Sequence, residues 1–468
     1  MERVGVLVVS YGSRGASIVD SLARSEKYAP EIYIADKQRN PFNVKKAKQH
    51  VVIPNLNAEK ICEFVEKYRH EIDFGIVGSE TPIIDGVRDI VEEKTNIPLI
   101  CVTKKFALER SKIEQRLLLQ AVMPEANPRY KIFDPVNHKS GEEVSKSVRV
   151  WIEELGGIDR VVIKPDRPGF GKGVGVGGEH FFTIEQAIDH FNSTYGGESK
   201  ERVIIEEKVE GEESSFQAWC DGKTLAPLPE TRDHKRAFDG DKGPNTGGTG
   251  SYKDRVDHLP FITRDDKDKE IEIVNKLFNL LRKESDDSGL RGMPFYAAFM
   301  HSKDGPKLLE INSRPGDPEI INLMPILRDD FVDTCYKMIE GNLGKVELEP
   351  QATVVTYALP LTYGSYRSQF SSNPPVNLSE VHKLAEKYGD KIRVYPGSME
   401  LREDGQTYAL KSRAVCVVGI GDTIHEAREV SLDGIRHIDG PLWNRWDIGS
   451  EDAINKSIDH MKKLRNLV

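Results

Sequence analysis

The chain has 468 residues, of which 38% are hydrophobic and 30% charged, so it can bury a sizeable core and is not compositionally disordered. Its 66 basic and 75 acidic residues give a net charge of −9, which excludes a globally basic nucleic-acid-binding protein. At roughly 150 residues per domain, this length predicts about three domains.

Residues 1–108 alternate short apolar runs with amphipathic stretches. Runs such as Val4–Ser10 and Phe74–Val77 are typical of buried parallel strands, whereas Ala58–Ile72 and Ile84–Lys94 have helical periodicity. Strands and helices that alternate with short connections predict a doubly wound parallel-sheet α/β domain.

The first strand-to-helix turn carries Gly12 and Gly15, and backbone N–H groups at such a helix N-terminus can receive a phosphate. Asp36 closes the second strand, where a dinucleotide-binding fold has its ribose-binding acid. These residues keep a nicotinamide-dependent oxidoreductase open as an alternative, although the turn lacks the G-x-G-x-x-G pattern.

The pattern over Phe106–Ala121 predicts a long connecting helix. Residues 346–468 read as a further α+β unit, with a hairpin at Ser398–Lys411 and a helix that begins with the capping box Thr423-x-x-Glu426. Between these segments lie four strand patterns, at Val161–Lys164, Arg202–Glu207, Phe295–Met300 and Lys307–Asn312.

Residues 168–178 form a glycine-rich loop, PGFGKGVGVGG. It is not a Walker A loop, because Gly171-Lys172 is followed by Gly173 rather than by Ser or Thr. The backbone of such a loop can approach a polyphosphate closely, and Lys172 adds positive charge. Since Lys164 ends the preceding strand and points toward the same place, we expect a phosphate-binding loop rather than a linker.

Two further segments are dense in polar residues. Residues 233–252, DHKRAFDGDKGPNTGGTGSY, cannot pack as a core, and their mixed composition favours a site-lining loop over a surface linker. In the segment that follows Leu309, Glu310 and Asn312 share one strand face, with Leu309 and Ile311 behind them. Two oxygen donors on one rigid face suit Mg²⁺ held by nucleotide phosphates; a solvated edge strand is the alternative.

The five cysteines are too widely spaced for a C-x-x-C metal site and predict reduced thiols. No apolar stretch approaches the roughly 18 residues of a membrane-spanning helix. We therefore expect a cytoplasmic protein with no membrane and no nucleic-acid partner.

Taken together, the segments resemble the phosphoribosylamine–glycine ligase (glycinamide ribonucleotide synthetase) family of the ATP-grasp superfamily, over roughly residues 1–450. The motifs that carry the resemblance are Ser111-Lys112, Val162-Ile-Lys164-Pro-Asp, Ile205-Glu-Glu207, the 233–252 loop with Gly243-Pro-Asn-Thr-Gly-Gly, and Leu309-Glu-Ile-Asn-x-Arg-Pro-Gly-Asp-Pro-Glu319.

The resemblance implies an α/β and α+β protein: a doubly wound N-terminal domain (1–108), an ATP-grasp domain (109–345, with a lid at about 125–207) and a small α+β C-terminal domain (346–468). It implies an ATP-dependent ligase of purine biosynthesis that joins glycine to 5-phosphoribosylamine through an acyl phosphate. Its small-molecule partners would be ATP, glycine and phosphoribosylamine, and its metal ion would be Mg²⁺ or Mn²⁺. The protein would be a monomer or a homodimer.

The resemblance also implies the site residues. ATP would be bound by Lys112, Lys164, Gly171, Lys172, Gly173, Glu206, Glu207, Lys208, Val209 and Glu213. The metal would be bound by Glu310 and Asn312. Catalysis would rest on Arg314, Asp233 and Lys235, and the other substrates would contact Gly12, Ser13, Arg14, Asn245 and Asp317.

Three segments depart from the family's pattern, and the mildest departure is Gly247-Gly-Thr249-Gly250 in place of Gly-Gly-Met-Gly. Gly12-Ser-Arg14-Gly15-Ala16 replaces the usual Gly-Gly-Arg-Glu-His-Ala, and residues 37–48, with five basic residues, replace Pro-Gly-Asn-x-Gly. Both line the expected phosphoribosylamine pocket, and the basic stretch is either a second means of receiving a phosphate or a solvated charge run. An ATP-grasp ligase for another carboxylate and amine therefore stays open, and so does a non-catalytic nucleotide-binding module.

Overall fold

The computed structural model describes residues 1–137, 141–168, 173–195, 201–283, 288–367 and 375–466. The predicted loop residues Gly171 and Lys172 lie outside the described residues. No helix within these ranges is long and apolar enough to cross a membrane.

The N-terminal region is built on a five-stranded parallel sheet in the order β3-β2-β1-β4-β5. This confirms the predicted parallel α/β sheet, whose inner strands β1 and β4 are buried and apolar, as strands covered on both faces are. Its elements are β1 (Glu2–Val9), α1 (Gly12–Ala23), β2 (Tyr28–Asp36), α2 (Pro41–Lys46), β3 (Gln49–Val52), α3 (Ala58–Lys67), β4 (Phe74–Val77), α4 (Glu80–Asp85), α5 (Val87–Thr95) and β5 (Leu99–Ile100).

Two helices differ from the sequence prediction. The pattern over Ile84–Lys94 is divided at Gly86, whose φ of +88° ends α4 before α5 begins. The connecting helix predicted over Phe106–Ala121 is wrong at its start, because α6 (Lys112–Val122) begins only after Ser111. The Ser111 hydroxyl accepts a backbone N–H three residues ahead, which satisfies one of the free donors of the first turn.

The next unit is an antiparallel sheet in the order β6-β9-β7-β8, against which two helices pack. It corresponds to the predicted lid, whose limits stay a prediction. Its elements are β6 (Tyr130–Phe133), α7 (Gly141–Glu154), β7 (Val161–Pro165), β8 (Gly175–Val176), α8 (Ile184–Tyr195) and β9 (Val203–Glu207).

The central sheet has the antiparallel order β11-β10-β16-β17, and one of its faces packs on α9 and on the N-terminal region in a shared core. The other face is polar at several positions. The elements here are β10 (Glu212–Cys220), β11 (Leu225–Pro227), β12 (Arg232–Asp233), β13 (Arg236–Phe238), β14 (Lys242–Asn245), β15 (Gly250–Lys253), α9 (Arg264–Lys283), β16 (Gly292–Ser302) and β17 (Gly305–Asn312).

The C-terminal sheet has the strand order β12-β15-β18-β22-β19. Two of its strands, β12 and β15, come from before residue 345 in the sequence. The domain limits given above stay a prediction. The predicted 398–411 hairpin is confirmed as β20 paired with β21, and the Thr423 hydroxyl caps α14 as predicted. The elements are α10 (Glu319–Leu323), α11 (Phe331–Glu340), β18 (Ala352–Pro360), α12 (Ser379–Lys383), α13 (Ala385–Tyr388), β19 (Ile392–Pro396), β20 (Met399–Leu401), β21 (Thr407–Ala409), β22 (Val415–Gly421), α14 (Ile424–Arg436), β23 (Leu442–Trp443) and α15 (Glu451–Leu464).

Candidate active site

The polar face of the central sheet carries Glu310 and Asn312, two residues apart on β17. The prediction that Leu309 and Ile311 lie behind them is wrong for Leu309. A β-bulge at that residue shifts the register of β17 against β16, so Leu308 and Ile311 fill the core underneath instead.

Positive charge surrounds Glu310. Burial alone would raise the pKa of its carboxyl, but the ammonium groups of Lys235, Lys112 and Lys164 lower that pKa below its ordinary value. The Arg314 guanidinium acts in the same direction. An ionised carboxylate and the amide oxygen two residues along are hard oxygen donors, so these residues fit a divalent ion shared with phosphates.

The lid contributes Lys164 through a buried ion-pair network. Lys164 Nζ donates to Glu206 Oε2 at 2.7 Å, and Arg116 of α6 donates to Glu206 Oε1 at 2.6 Å. Burial would raise the pKa of Glu206, but the two cations lower it to about 2. Because this carboxylate is already occupied, the ATP contact predicted for Glu206 is restricted to its backbone.

The other residues predicted to hold adenine follow β9. Glu207 accepts the backbone N–H of Arg129 at 2.9 Å, and Lys208 Nζ lies 3.0 Å from Glu179 Oε1 in the lid. Val209 is half-buried. With both flanking side chains engaged, backbone groups are what this stretch offers to a nucleotide base.

Lys112 stands at the first position of α6 and reaches the end of β7. Its Nζ donates to the Arg167 carbonyl at 3.0 Å, and burial lowers its pKa below the ordinary value. Of the two loop glycines predicted to bind ATP, Gly171 and Gly173, the structure describes Gly173, and its φ of +81° is a conformation that favours glycine.

The 233–252 loop places Lys235 and Asp233 beside the same face. Lys235 forms an ion pair with Glu213, and although burial opposes it, neighbouring carboxylates raise the pKa of Lys235. Burial and the nearby Glu319 carboxylate raise the pKa of Asp233 well above its ordinary value. The Tyr296 hydroxyl donates to Glu319 at 2.5 Å. The loop therefore brings the Lys235 ammonium and the Asp233 carboxyl to the site.

The N-terminal region meets the end of β17 through a buried charge cluster. Arg14 donates to Glu80 at 3.2 Å and to the Pro315 carbonyl at 3.0 Å. Arg314 lies 3.5 Å from both Glu80 and Glu109. Burial would raise the pKa of Glu80, but the two arginines lower it to about 2, whereas burial raises the pKa of Glu109 to about 7.

The lysines of the basic stretch at 37–48 have different surroundings, some near the candidate site and some at the protein surface. Lys37 Nζ lies 3.8 Å from the centre of the Tyr11 ring, beside the first turn of α1, and burial lowers its pKa. Lys45 is exposed at the end of α2, and Lys48 pairs with Glu31. Of these three lysines, only Lys37 faces the predicted substrate pocket.

The remaining predicted substrate residues are in different environments. Gly12 begins α1 with φ +68°, and the Ser13 hydroxyl is buried and donates to a carbonyl of β19, so Ser13 offers only its backbone. Asp317 is paired with Arg413 at 3.0 Å. Asn245 ends the exposed hairpin strand β14.

Asp36 does not face a ligand. Its carboxylate is fully buried and accepts hydrogen bonds from Asn43 at 2.8 Å and from the backbone N–H of Gln38 at 3.3 Å. It therefore supports the loop before α2, which removes the residue that suggested a ribose-binding acid.

Sequence reasoning missed five residues that the structure brings to the site. Glu319 ends the quoted 309–319 motif and Glu109 lies three residues before Lys112, so both were within reach of a motif search. The other three have no local signal, because their partners are distant in sequence: Glu80, Arg116 and Arg413.

Comparisons with known proteins identify the family. Residues 4–109 match the phosphoribosylglycinamide synthetase N domain and residues 120–320 its ATP-grasp (A) domain. The phosphoribosylamine–glycine ligase of Methanocella arvoryzae is 35% identical over 98% of this chain and 99% of its own length. The Pyrococcus furiosus enzyme of the same name is also 35% identical, over 99% of this chain and 98% of its own length. The chain belongs to the phosphoribosylamine–glycine ligase family.

Solved structures have the same fold. The Thermotoga maritima phosphoribosylamine–glycine ligase is similar with a TM-score of 0.72 at 21% identity, covering 95% of this chain and all of that one. A Hydrogenobacter thermophilus biotin carboxylase domain, solved with MgADP, is similar with a TM-score of 0.66 at 15% identity. The match covers 98% of this chain and 93% of that domain's chain.

Membership of the phosphoribosylamine–glycine ligase family confirms the ATP-grasp fold and an ATP-dependent ligase that uses a divalent metal ion. It rules out the nicotinamide-dependent oxidoreductase and the non-catalytic module as alternatives.

Proposed function

We propose that this protein joins glycine to 5-phosphoribosylamine with ATP, releasing glycinamide ribonucleotide, ADP and phosphate. The observation that carries the proposal is the Glu310 carboxylate, which Lys112, Lys164 and Lys235 keep ionised on the polar sheet face. An ionised carboxylate on the sheet face with several cations around it is suited to a metal–triphosphate and to a developing acyl phosphate.

The reaction needs charge neutralisation more than covalent help. The glycine carboxylate attacks the γ-phosphorus and ADP leaves, which gives an acyl phosphate. The amine then attacks the acyl carbon, phosphate leaves, and the nitrogen loses a proton to give the amide. Lys164 and Lys235 offset charge on the phosphate oxygens. Asp233 lies beside Lys235, and burial together with the Glu319 carboxylate raises the pKa of its carboxyl. A divalent ion held by Glu310 and Asn312, for which Mg²⁺ is our proposal and Mn²⁺ the alternative, would neutralise charge on the β- and γ-phosphates.

The amine substrate would lie at the first turn of α1. Arg14 and Arg314 are held there by Glu80, and Lys37 adds a half-buried ammonium. We propose that Lys37 and the N-terminal N–H groups of α1 receive the phosphate of phosphoribosylamine, since cations and helix N-termini both favour a dianion.

The deciding assay measures ADP release by purified protein with Mg-ATP and glycine, with and without freshly generated phosphoribosylamine. We expect ADP and glycinamide ribonucleotide in equal amounts only in the complete mixture. Turnover with a different acid or amine, and none with this pair, would instead identify an ATP-grasp ligase for other substrates. Mg²⁺ and Mn²⁺ are compared in the same assay.

A further inference from the structure

A second polar cluster lies on the face of the central sheet opposite the ATP site. Ser214 on β10 and His301 on β16 belong to rows of side chains directed at α9, and the next members of those rows, Phe216 and Phe299, are core residues. Polar groups at the end of an apolar face are costly to bury unless they have partners.

Two carboxylates meet these residues in the interior. Glu270 comes from α9 and Glu230 from the segment before β12, and both are fully buried, as is His301. One ligand atom from each of Glu230, Glu270 and His301 lies within 4.8 Å of the other two. The Ser214 hydroxyl is 2.7 Å from Glu270 Oε1 and 2.9 Å from His301 Nε2.

His301 Nε2 lies 2.8 Å from Glu270 Oε1, and within the described residues no lysine or arginine forms an ion pair with either carboxylate. Within the described part of the chain, three carboxylate oxygens have no hydrogen-bond partner: both oxygens of Glu230 and Oε2 of Glu270. Lys267 donates to two backbone carbonyls, at 3.1 and 2.6 Å, and Arg465 makes a two-fold contact with Asp266 at 2.8 Å.

We propose that Glu230, Glu270 and His301 bind a structural Zn²⁺ ion, with the Ser214 hydroxyl or a water molecule as the fourth ligand. An imidazole nitrogen with carboxylate oxygens is a donor set that Zn²⁺ takes in tetrahedral sites. His301 Nδ1 faces Asp266 Oδ1 at 3.8 Å, on the side where a carboxylate orients a metal-bound histidine.

The site is closed, because Glu230, Glu270 and His301 have no exposed surface. An ion there would be structural rather than catalytic. It would tie α9 and the segment before β12 to the face of the central sheet opposite the one that carries Glu213 and Glu310.

A proton shared by Glu230 and Glu270 is the competing explanation, and the variant Glu230→Gln distinguishes the two. Glutamine has the shape and neutrality of a protonated glutamate, so it preserves a shared-proton pair but removes a metal ligand. Glu272→Gln is the matched control, since it makes the same change at an exposed position of α9.

The first measurement is the metal content of the full-length protein, produced with added Zn²⁺ and washed free of loose metal. We expect one tightly held zinc per chain in the wild type, in Glu272→Gln and in Glu310→Gln, and none in Glu230→Gln. Retention by Glu310→Gln separates this ion from the metal of the ATP site. Wild-type protein without stoichiometric zinc would overturn the proposal, even if Glu230→Gln does not fold.

The second measurement is thermal unfolding after removal of metal with a strong chelator. We expect the melting temperature of the wild type to fall by several degrees and to return with Zn²⁺ but not with Mg²⁺, because an ion that binds only the folded state stabilises it. A Glu230→Gln protein that is as stable as the wild type, together with no response of the wild type to Zn²⁺, would establish the shared proton instead.

Discussion

Lys164 Nζ lies 2.7 Å from Glu206 Oε2, diagonally across the paired strands β7 and β9. Arg116 of α6 binds the other oxygen of the same carboxylate and also donates to the Leu309 carbonyl at 2.5 Å. One buried carboxylate therefore joins the lid sheet to the strand that carries the proposed metal ligands. It also holds Lys164, which we propose binds phosphate, in position.

Glu206→Gln should destabilise the protein by about 3–5 kcal/mol at pH 7, because it leaves two buried cations without a counter-charge. Denaturant unfolding measures the change. Glu210→Gln, an exposed change three residues beyond β9, should stay within about 0.5 kcal/mol of the wild type. Equal stability of Glu206→Gln and the wild type at pH 7 would show that the network contributes nothing.

The same variant gives a pH signature. The pKa of Glu206 is lowered from 4.5 to about 2 in the folded protein, so below pH 4.5 the unfolded chain binds more protons. The stabilisation is complete above pH 4.5 and is lost as the pH falls toward 2. The difference in unfolding free energy between wild type and Glu206→Gln should shrink over that window; a constant difference contradicts the assignment.

Lys164→Met should reduce kcat/KM for ATP by roughly 10²–10³-fold, because it removes a preorganised positive charge from the phosphate path. Steady-state kinetics with saturating glycine measures the loss. Lys146→Met, at an exposed position of α7 in the same lid, is the matched control and should leave kcat/KM unchanged. An equal effect of both variants would indicate a general disturbance of the lid.

Glu310→Gln should lower kcat by roughly 10²-fold or more and raise the Mg²⁺ concentration needed for half-maximal rate, because a neutral amide is a weaker metal ligand. Metal titrations at fixed ATP separate the two effects. Asp304→Asn, in the exposed turn between β16 and β17, should titrate like the wild type. An unchanged metal requirement removes Glu310 from the proposed site.

Lys37→Gln should raise the KM for phosphoribosylamine by about 10–100-fold, the loss of one charge-assisted phosphate contact, and leave the KM for ATP unchanged. Lys45→Gln makes the same change at the exposed end of α2 and should alter neither constant. If both variants behave like the wild type, the basic stretch is a solvated charge run and the phosphate lies elsewhere.

Local patterns predicted several of the elements, although they missed the division between α4 and α5 and the start of α6. Buried apolar runs predicted the parallel strands, and Thr423 with Glu426 predicted the start of α14, because periodicity and capping depend on residues within one or two turns. The alternation on β17 likewise brought Glu310 and Asn312 to one face. It failed for Leu309, since a β-bulge depends on the pairing strand rather than on the bulged sequence.

The sequence by itself determined the family, the types of secondary structure and the glycine, carboxylate and lysine motifs of the ATP site. Only the tertiary structure decided which charges neutralise each other. Arg14 meets Glu80 66 residues away, and Arg116 meets Glu206 90 residues away. A buried charge is stabilised by whatever opposite charge the fold brings within a few ångströms, and that distance in space has no counterpart in sequence spacing.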